Sequence, residues 1–453
     1  MKKLFLYFLT ILLAAPFAVS CKKTAKSTFE PKPVVHQDWT RTAVIYEVNV
    51  RQYTKEGTFK AFEKYLPQLK DLGVDVLWFM PIHPISEVNR KGTLGSYYAV
   101  KDYKAVNPEF GTADDFKSLV AKAHEMGFKV IIDWVANHTG CDNVWLAAHK
   151  DWYVLDSVGN PTSPYDWTDT YELNYDNGAM RAAMTDAMKF WVTDFDIDGF
   201  RCDVAAEVPT MFWDSVRIVL DNIKPMFMLA EAENPELLDN AFDADYAWNL
   251  LHIMNNIAKN DSSVQTIRNY LIKNDSTLPK DAYKMNFITN HDENSWNGTE
   301  YERYKGGVQA FAILTYTLSG MPLIYTGQEI GLQKRLKFFD KDQIPSWSKN
   351  STFDFYKKLN ELKHTHPALK AGEQGGEVKM FNRVGAANDI LIFSRFKEGK
   401  EVVVALNLSG KKHDVYSNDV FPKEEFTEYF TGKKSNITFP IKLGPWEYKV
   451  WVR

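Results

Sequence analysis

From residue 43 to about 327 the chain repeats one pattern: a short apolar or β-branched run, a loop, then a longer stretch with apolar residues at helical spacing. Eight such runs fall at 44–48, 74–80, 130–135, 199–204, 226–231, 244–248, 285–289 and 322–326. Between them, 112–126 carries Ala, Phe, Leu, Val and Ala on one stripe and 179–195 places Met, Ala, Met and Trp similarly, so both predict amphipathic helices. Strand and helix in alternation imply a parallel sheet with helices packed on its faces. Eight units favour closure into a (β/α)8 TIM barrel over an open sheet, and no Gly-rich dinucleotide fingerprint follows the first strand.

Two stretches break the rhythm. Residues 139–176, between the third strand and its helix, are rich in Trp, Asp, Tyr and Pro and too long for an ordinary βα loop, so they predict a small excursion domain. Loops of that kind lie on the catalytic face of a barrel, where this one should wall the active site. After a last helix near 352–364 the character changes: 378–381, 390–395, 402–408 and 448–452 read as strands separated by Gly, Asn and Lys turns. The expected organisation is a catalytic barrel over 41–138 and 177–370, the excursion over 139–176, and a C-terminal antiparallel β-sandwich domain over 371–453.

A length of 453 residues suits two or three packed units, and 45% hydrophobic with 25% charged residues excludes collagen-like, disordered and coiled-coil chains. With 54 Lys and Arg against 58 Asp and Glu, the net charge of −4 has the wrong sign for a phosphate backbone, and nucleic acid is not an expected partner. Lys2 and Lys3 precede an apolar run over 4–15 that leads through small residues to Cys21, so 1–20 reads as a secretory signal peptide. The run is shorter than the ~20 residues a membrane helix needs. Ala18-Val19-Ser20-Cys21 resembles the lipobox of bacterial lipoproteins, with Ala in place of the commoner Leu; plain cleavage after Ser20 is the alternative. A lipidated Cys21 followed by a polar tether over 21–40 would give a secreted, membrane-anchored lipoprotein, periplasmic or at the cell surface. Cys141 and Cys202 are too few for a disulfide framework, and two buried thiols are the expected state.

The C-terminal ends of barrel strands carry the chemistry of such folds, and here they are ionic. The third gives Asp133, then Asn137 and His138; the fourth gives Arg201 and Asp203 on one side while Cys202 points the other way. The fifth runs through Leu229 and Ala230 into Glu231, and the seventh delivers Asn290, His291, Asp292 and Glu293. A single strand-end Asp is more often a helix cap. Four converging strand ends point to a site.

Asp133-Trp-Val-Ala-Asn-His138, Gly199-Phe-Arg-Cys-Asp203, the Glu231 strand end and Phe287-Ile-Thr-Asn-His-Asp292 resemble, in order, the motifs of glycoside hydrolase family 13, the α-amylase family. Val44-Ile-Tyr-Glu-Val-Asn49, Gly95-Ser-Tyr-Tyr98 with Asp102, Leu173-Asn-Tyr175 and Gly327-Gln-Glu-Ile-Gly331 extend the resemblance from about 44 to 331. It implies a retaining glycosidase acting on α-1,4-linked glucans, with Asp203 as nucleophile, Glu231 as acid and base, and Asp292 as a third carboxylate on the sugar hydroxyls. His138 and His291 would bind hydroxyls of the same sugar, Tyr98 would stack beneath its ring, and Asp133 would support Arg201. Arg201 would keep Asp203 ionised, while the apolar lead-in 227–230 would raise Glu231, so the two environments should push the acids apart. A transglycosylase or a debranching, pullulan-cleaving enzyme of the same family is the alternative. No cofactor is needed for this chemistry; Asn137 corresponds to a calcium ligand in many members, which would make a structural Ca2+ its metal.

Several residues compete for these roles. Glu233 lies two positions beyond the apolar run and is the other candidate acid; Glu207 reads as a helix-start charge and Glu293 as a loop charge. Tyr97 sits beside Tyr98, which the spacing to Asp102 favours; Trp78 and Trp134, inside strand runs, read as core. Two other classes stay open. His138, Asp203, Glu231, His291 and Asp292 could gather a divalent ion that activates water, although paired-His spacing is missing. A noncatalytic glycan-binding barrel would keep the shape but be expected to lack the acids.

Overall fold

Each of the eight apolar runs forms a strand: β1 (Ile45–Val48), β2 (Val76–Phe79), β3 (Lys129–Trp134), β4 (Gly199–Cys202), β5 (Phe227–Ala230), β6 (Ala244–Tyr246), β7 (Tyr283–Asn286) and β8 (Met321–Tyr325). They come from a computed structural model that describes residues 31–382, 388–417, 419, 421 and 423–453. The expected leader, Cys21 and the tether up to residue 30 lie outside the described residues. The strands pair in parallel and in chain order, and β8 closes onto β1. Helices cover one face and side chains fill the other, which is why the strands read as continuous apolar runs rather than alternating ones. β7 ends earlier than its apolar run, at Asn286: its pairing with β8 stops at Pro322, which has no N–H to extend the ladder. His291 and Asp292 therefore sit on the loop beyond the strand.

The helices start where side chains can take up free backbone amides. Thr112 and Asp115 form a capping box for Ala113–Glu125, and Asn177 accepts from Ala179 and Met180 at the head of Gly178–Phe195. Between β3 and that second helix the chain leaves the barrel, pairs His138–Gly140 with Thr170–Glu172, and returns. Tyr103 fastens this excursion to the mouth by donating to the carbonyls of Val135 and His138 at 2.7 and 2.9 Å.

After the helix Ser351–Thr365 the chain forms a six-stranded antiparallel sheet centred on the hairpin Ile390–Lys397 and Lys400–Asn407, with Tyr448–Val452 alongside. Alternation gives it two apolar faces. Leu391, Phe393, Val402 and Val404 join the barrel core, while Ile390, Ile392, Val403 and Ala405 pack under a two-stranded ribbon of His413–Val415 and Ile441–Leu443. Cys141 and Cys202 are buried free thiols. Among the described residues no helix is long and apolar enough to cross a membrane.

Candidate active site

Asp133 on β3 and Arg201 on β4 are register partners, so alternation turns both side chains to the same side of neighbouring strands. Arg201 is wholly buried, its Cζ 5.2, 5.8 and 5.6 Å from the ring centres of Trp78, Tyr98 and Tyr246. Its Nη1 donates to Asp133 Oδ1 at 2.8 Å and Asp203 Oδ1 at 2.9 Å, and its Nε donates to the Tyr246 hydroxyl at 2.9 Å. Nη2 lies 2.8 Å from Glu231 Oε2 as an ion pair whose N–H is not aligned into a hydrogen bond. Asp203 and Glu231 therefore share one guanidinium.

The same Glu231 oxygen accepts from the Val204 amide at 2.8 Å. Val204 holds φ at 36°, a left-handed conformation that a β-branched residue pays for, so the backbone is strained at the point where it aims an amide at the acid. Burial raises Glu231 to about 7; Arg201 opposes, and Asp203 and Asp292 add to the rise. Burial also lifts Asp203 to about 6 against the pull of Arg201, with Asp133 adding. Burial raises Glu231 and Arg201 pulls Asp203 down, both in the expected directions, but burial of Asp203 outweighs the pull of Arg201. Both move upward because burial disfavours each charged form, and one guanidinium divided among three carboxylates offsets that only in part.

His291 Nδ1 stands 2.5 Å from Glu47 Oε1, and its Nε2 is 2.7 Å from the Tyr98 hydroxyl and 3.4 Å from Asp292 Oδ2. Burial disfavours its charge, but Asp292 and Glu47 outweigh that and raise His291 to about 9. As an imidazolium it donates from both nitrogens. Tyr98 then accepts from His291 and donates to Asp133 Oδ2 at 3.2 Å, where Trp78 Nε1 also donates at 3.2 Å. One polar chain runs Glu47, His291, Tyr98, Asp133, Arg201. Asp292 is the most exposed of the carboxylates here, 34% open at the side chain.

Asp133, Arg201, Asp203, Glu231, His291, Asp292 and Tyr98 are thereby brought together. His138 is buried beside Trp167, their ring centres 5.3 Å apart, and burial lowers its pKa to about 3, so it is neutral. Among the described residues no hydrogen bond joins His138 to the carboxylates. Glu233 is directed elsewhere: its carboxylate accepts from the Asn249 amide at 2.8 Å and lies 3.6 Å from Lys284. Glu293 pairs with Arg303 at 3.2 Å, and Tyr97 donates to Asn49 and lies under Arg51. The sequence reading missed the roles of Tyr246 and Glu47 and assigned Trp78 to core alone; inward alternation on β1, β2 and β6 was the available signal.

The residues around Asn137 do not fit a metal. Its Nδ2 faces His138 Nδ1 at 3.4 Å, Asp142 pairs with Lys101 at 3.3 Å, Asp169 pairs with Lys91 at 3.0 Å, and Asp151 accepts from Asn177 at 2.8 Å. Ammonium and amide groups thus take the carboxylates a calcium cage would need. Among the described residues no group of three or more His, Cys, Asp or Glu could hold a metal ion, the strand-end set included.

The family model for the alpha amylase catalytic domain matches residues 20–172 and 165–354. An α-amylase of Haloarcula japonica is 27% identical over 388 residues, which span 82% of this chain but only 56% of that longer relative. The crystal structure of a noncanonic maltogenic α-amylase from Thermotoga neapolitana superposes with a TM-score of 0.83 at 28% identity, covering 91% of this chain and 99% of that one. That of an α-amylase from Lactobacillus plantarum gives 0.82 at 30% identity, covering 92% and 100%.

Proposed function

Because the chain belongs to the α-amylase family, glycoside hydrolase family 13, we propose that it is a retaining glycosidase that cleaves α-1,4-linked glucans such as starch and maltooligosaccharides. In the first step Asp203 attacks the anomeric carbon while Glu231 gives its proton to the departing glycosidic oxygen, so the carbon–oxygen bond to the leaving chain breaks as the bond to Asp203 forms. Glu231, now a carboxylate, takes a proton from water, which displaces Asp203 and restores both groups. Asp292, beside the His291 imidazolium, holds hydroxyls of the reacting sugar, and Tyr98 underlies its ring. Each step uses side chains alone.

The observation that carries this reading is the single Arg201 guanidinium contacting both Asp203 and Glu231, which supports their acting on one sugar. Burial raises Glu231 and so favours the protonated form a proton donor needs, while a direct hydrogen bond from Arg201 favours the ionised form of Asp203 that a nucleophile needs. Product analysis on starch, pullulan, maltotriose and dextran, comparing the parent with Asp203→Asn, tests it. Turnover should fall at least ~10³-fold with the fold retained, and near-normal turnover in the variant would refute the assignment. The substrate panel also separates α-1,4 cleavage from debranching and from transfer to sugar. The leader and Cys21 support secretion followed by lipid anchoring; incorporation of labelled fatty acid into the parent but not into Cys21→Ser is the expected result.

A further inference from the structure

Glu47 is a wholly buried carboxyl group that the bond-breaking steps do not use. On β1 it is the register partner of Trp78 on β2 and of Tyr325 on β8, and its Oε1 stands 2.5 Å from Nδ1 of His291, on the loop after β7. Its other oxygen, Oε2, has no hydrogen-bond partner among the described residues. Accepting one N–H does not require a charge, since an amide oxygen of the same shape would serve. A buried carboxylate with one oxygen unpartnered is, by contrast, costly. The cations that face Glu47 are His291 and Arg201, the carboxylate is Asp292, and the neighbouring phenols are Tyr246 and Tyr325.

The charge of Glu47 bears on the second nitrogen of His291. A neutral imidazole held at Nδ1 by an acceptor carries its only proton there and leaves Nε2 as a lone pair, whereas an imidazolium carries a proton on each nitrogen. Nε2 lies 2.7 Å from the Tyr98 hydroxyl, which is 3.2 Å from Asp133 Oδ2. That hydroxyl has one proton to give. Beside a lone pair it donates to His291, the nearer neighbour, and deserts Asp133; beside an N–H it accepts from His291 and turns its own proton to Asp133. Asp133 draws on the same Arg201 Nη1 as Asp203, at 2.8 and 2.9 Å, so a phenol proton on Asp133 leaves more of that cation to Asp203. His291 is faced by Glu47 from β1, Tyr98 from the loop after β2, Asp133 from β3, Arg201 from β4 and Asp292 from its own loop. Of these carboxylates Asp292 is 3.4 Å away and partly open, while Glu47 is nearer and closed to solvent, where its field is screened least.

We propose that Glu47 is a positioning residue whose charge keeps His291 an imidazolium, which turns the Tyr98 hydroxyl toward Asp133 and leaves Arg201 to the two acting acids. The proposal deepens the hydrolytic reading above and rests on it. Glu47→Gln keeps the shape and an acceptor for Nδ1 but removes the charge, and Glu47→Asp keeps the charge on a shorter arm. The imidazole nitrogens are titrated by NMR in 15N-histidine-labelled parent and variants, with the His291 signals identified by their loss in His291→Gln, and kcat and KM on maltotriose are measured across pH. In the parent both nitrogens of His291 should stay protonated through pH 8, and in Glu47→Gln the Nε2 proton should leave near or below the ordinary histidine value of about 6.5. At pH 7 the Gln variant should lose about ten-fold in kcat with KM within about three-fold of the parent, and its alkaline limb should begin at lower pH, with the Asp variant in between. A contact that is only structural would lower the thermal midpoint and leave the pH profile in place. A parent His291 that is neutral at pH 7, a result that needs no variant to fold, overturns the proposal, as does a Gln variant whose His291 remains doubly protonated there or whose profile matches the parent's. A parent that cleaves no α-glucan overturns the hydrolytic reading, while the titration still decides whether Glu47 sets the charge of His291.

Discussion

Arg201 is where residue-level effects compete. It touches Asp133, Asp203 and Glu231, and a single positive charge cannot hold three buried carboxyl groups at their ordinary values. Burial is the larger effect for each, lifting Asp203 to about 6 and Glu231 to about 7. The sign of the consequence is fixed by their roles. The nucleophile works only as a carboxylate, which requires pH above about 6; the acid works only protonated, which requires pH below about 7. A pH profile of kcat/KM on maltooligosaccharide should therefore be a narrow bell with its maximum between those values, falling on the acid side as Asp203 protonates and on the alkaline side as Glu231 ionises. Full activity retained well above pH 8 would be incompatible with Glu231 as the proton donor. His291, raised to about 9, stays charged across that whole window and contributes to neither limb.

At the level of elements, the eight strands were legible because a strand buried on both faces is a short run of apolar and β-branched residues, and here such runs alternate with helical stretches. The helix after β2 was legible through its stripe, and Thr112 with Asp115 supplies the cap that begins it. Gly199 shows why the motif on the fourth strand starts as it does: a Cβ there would lie 1.9 Å from the Phe227 carbonyl oxygen, so only glycine lets β4 and β5 close to pairing distance. Asp203 and Glu231 are carried by these two strands, and their common reach to Arg201 depends on that approach. What stayed hidden were partners chosen by closure. Tyr246 on β6 and Glu47 on β1 meet the site only because the sheet curls into a ring, and alternation says which side a residue faces but not whom it meets across the axis.

Across the whole molecule, barrel and terminal sheet are joined by a buried cation that has no carboxylate partner among the described residues. Arg395, on the first strand of the central hairpin, donates to the carbonyls of Gly376 at 2.7 Å, Lys370 at 2.9 Å, Leu318 at 3.0 Å and Thr317 at 3.2 Å. Thr317 and Leu318 end the helix that feeds β8, where carbonyls lack helical partners and a positive charge meets the negative end of the helix dipole. Two forces oppose each other. Burial works against the charge and draws the Arg395 pKa down to about 9, so the group is costly to keep, while removing it leaves three buried carbonyls and one partly buried one short of a donor. At roughly 1–3 kcal/mol for each buried polar group left unpaired, the second cost exceeds the relief of the first. Arg395→Met should accordingly lose on the order of 2–4 kcal/mol of stability, read as a lower midpoint in thermal unfolding, with Arg395→Lys falling between because three donors on a point charge replace a planar fork. The site is built wholly from barrel strands and loops, so kcat measured below the unfolding range should not change in either variant. A Met variant as stable as the parent would show that the sheet is held by its apolar face alone, through Leu391, Phe393, Val402 and Val404, and that the cation is tolerated rather than required.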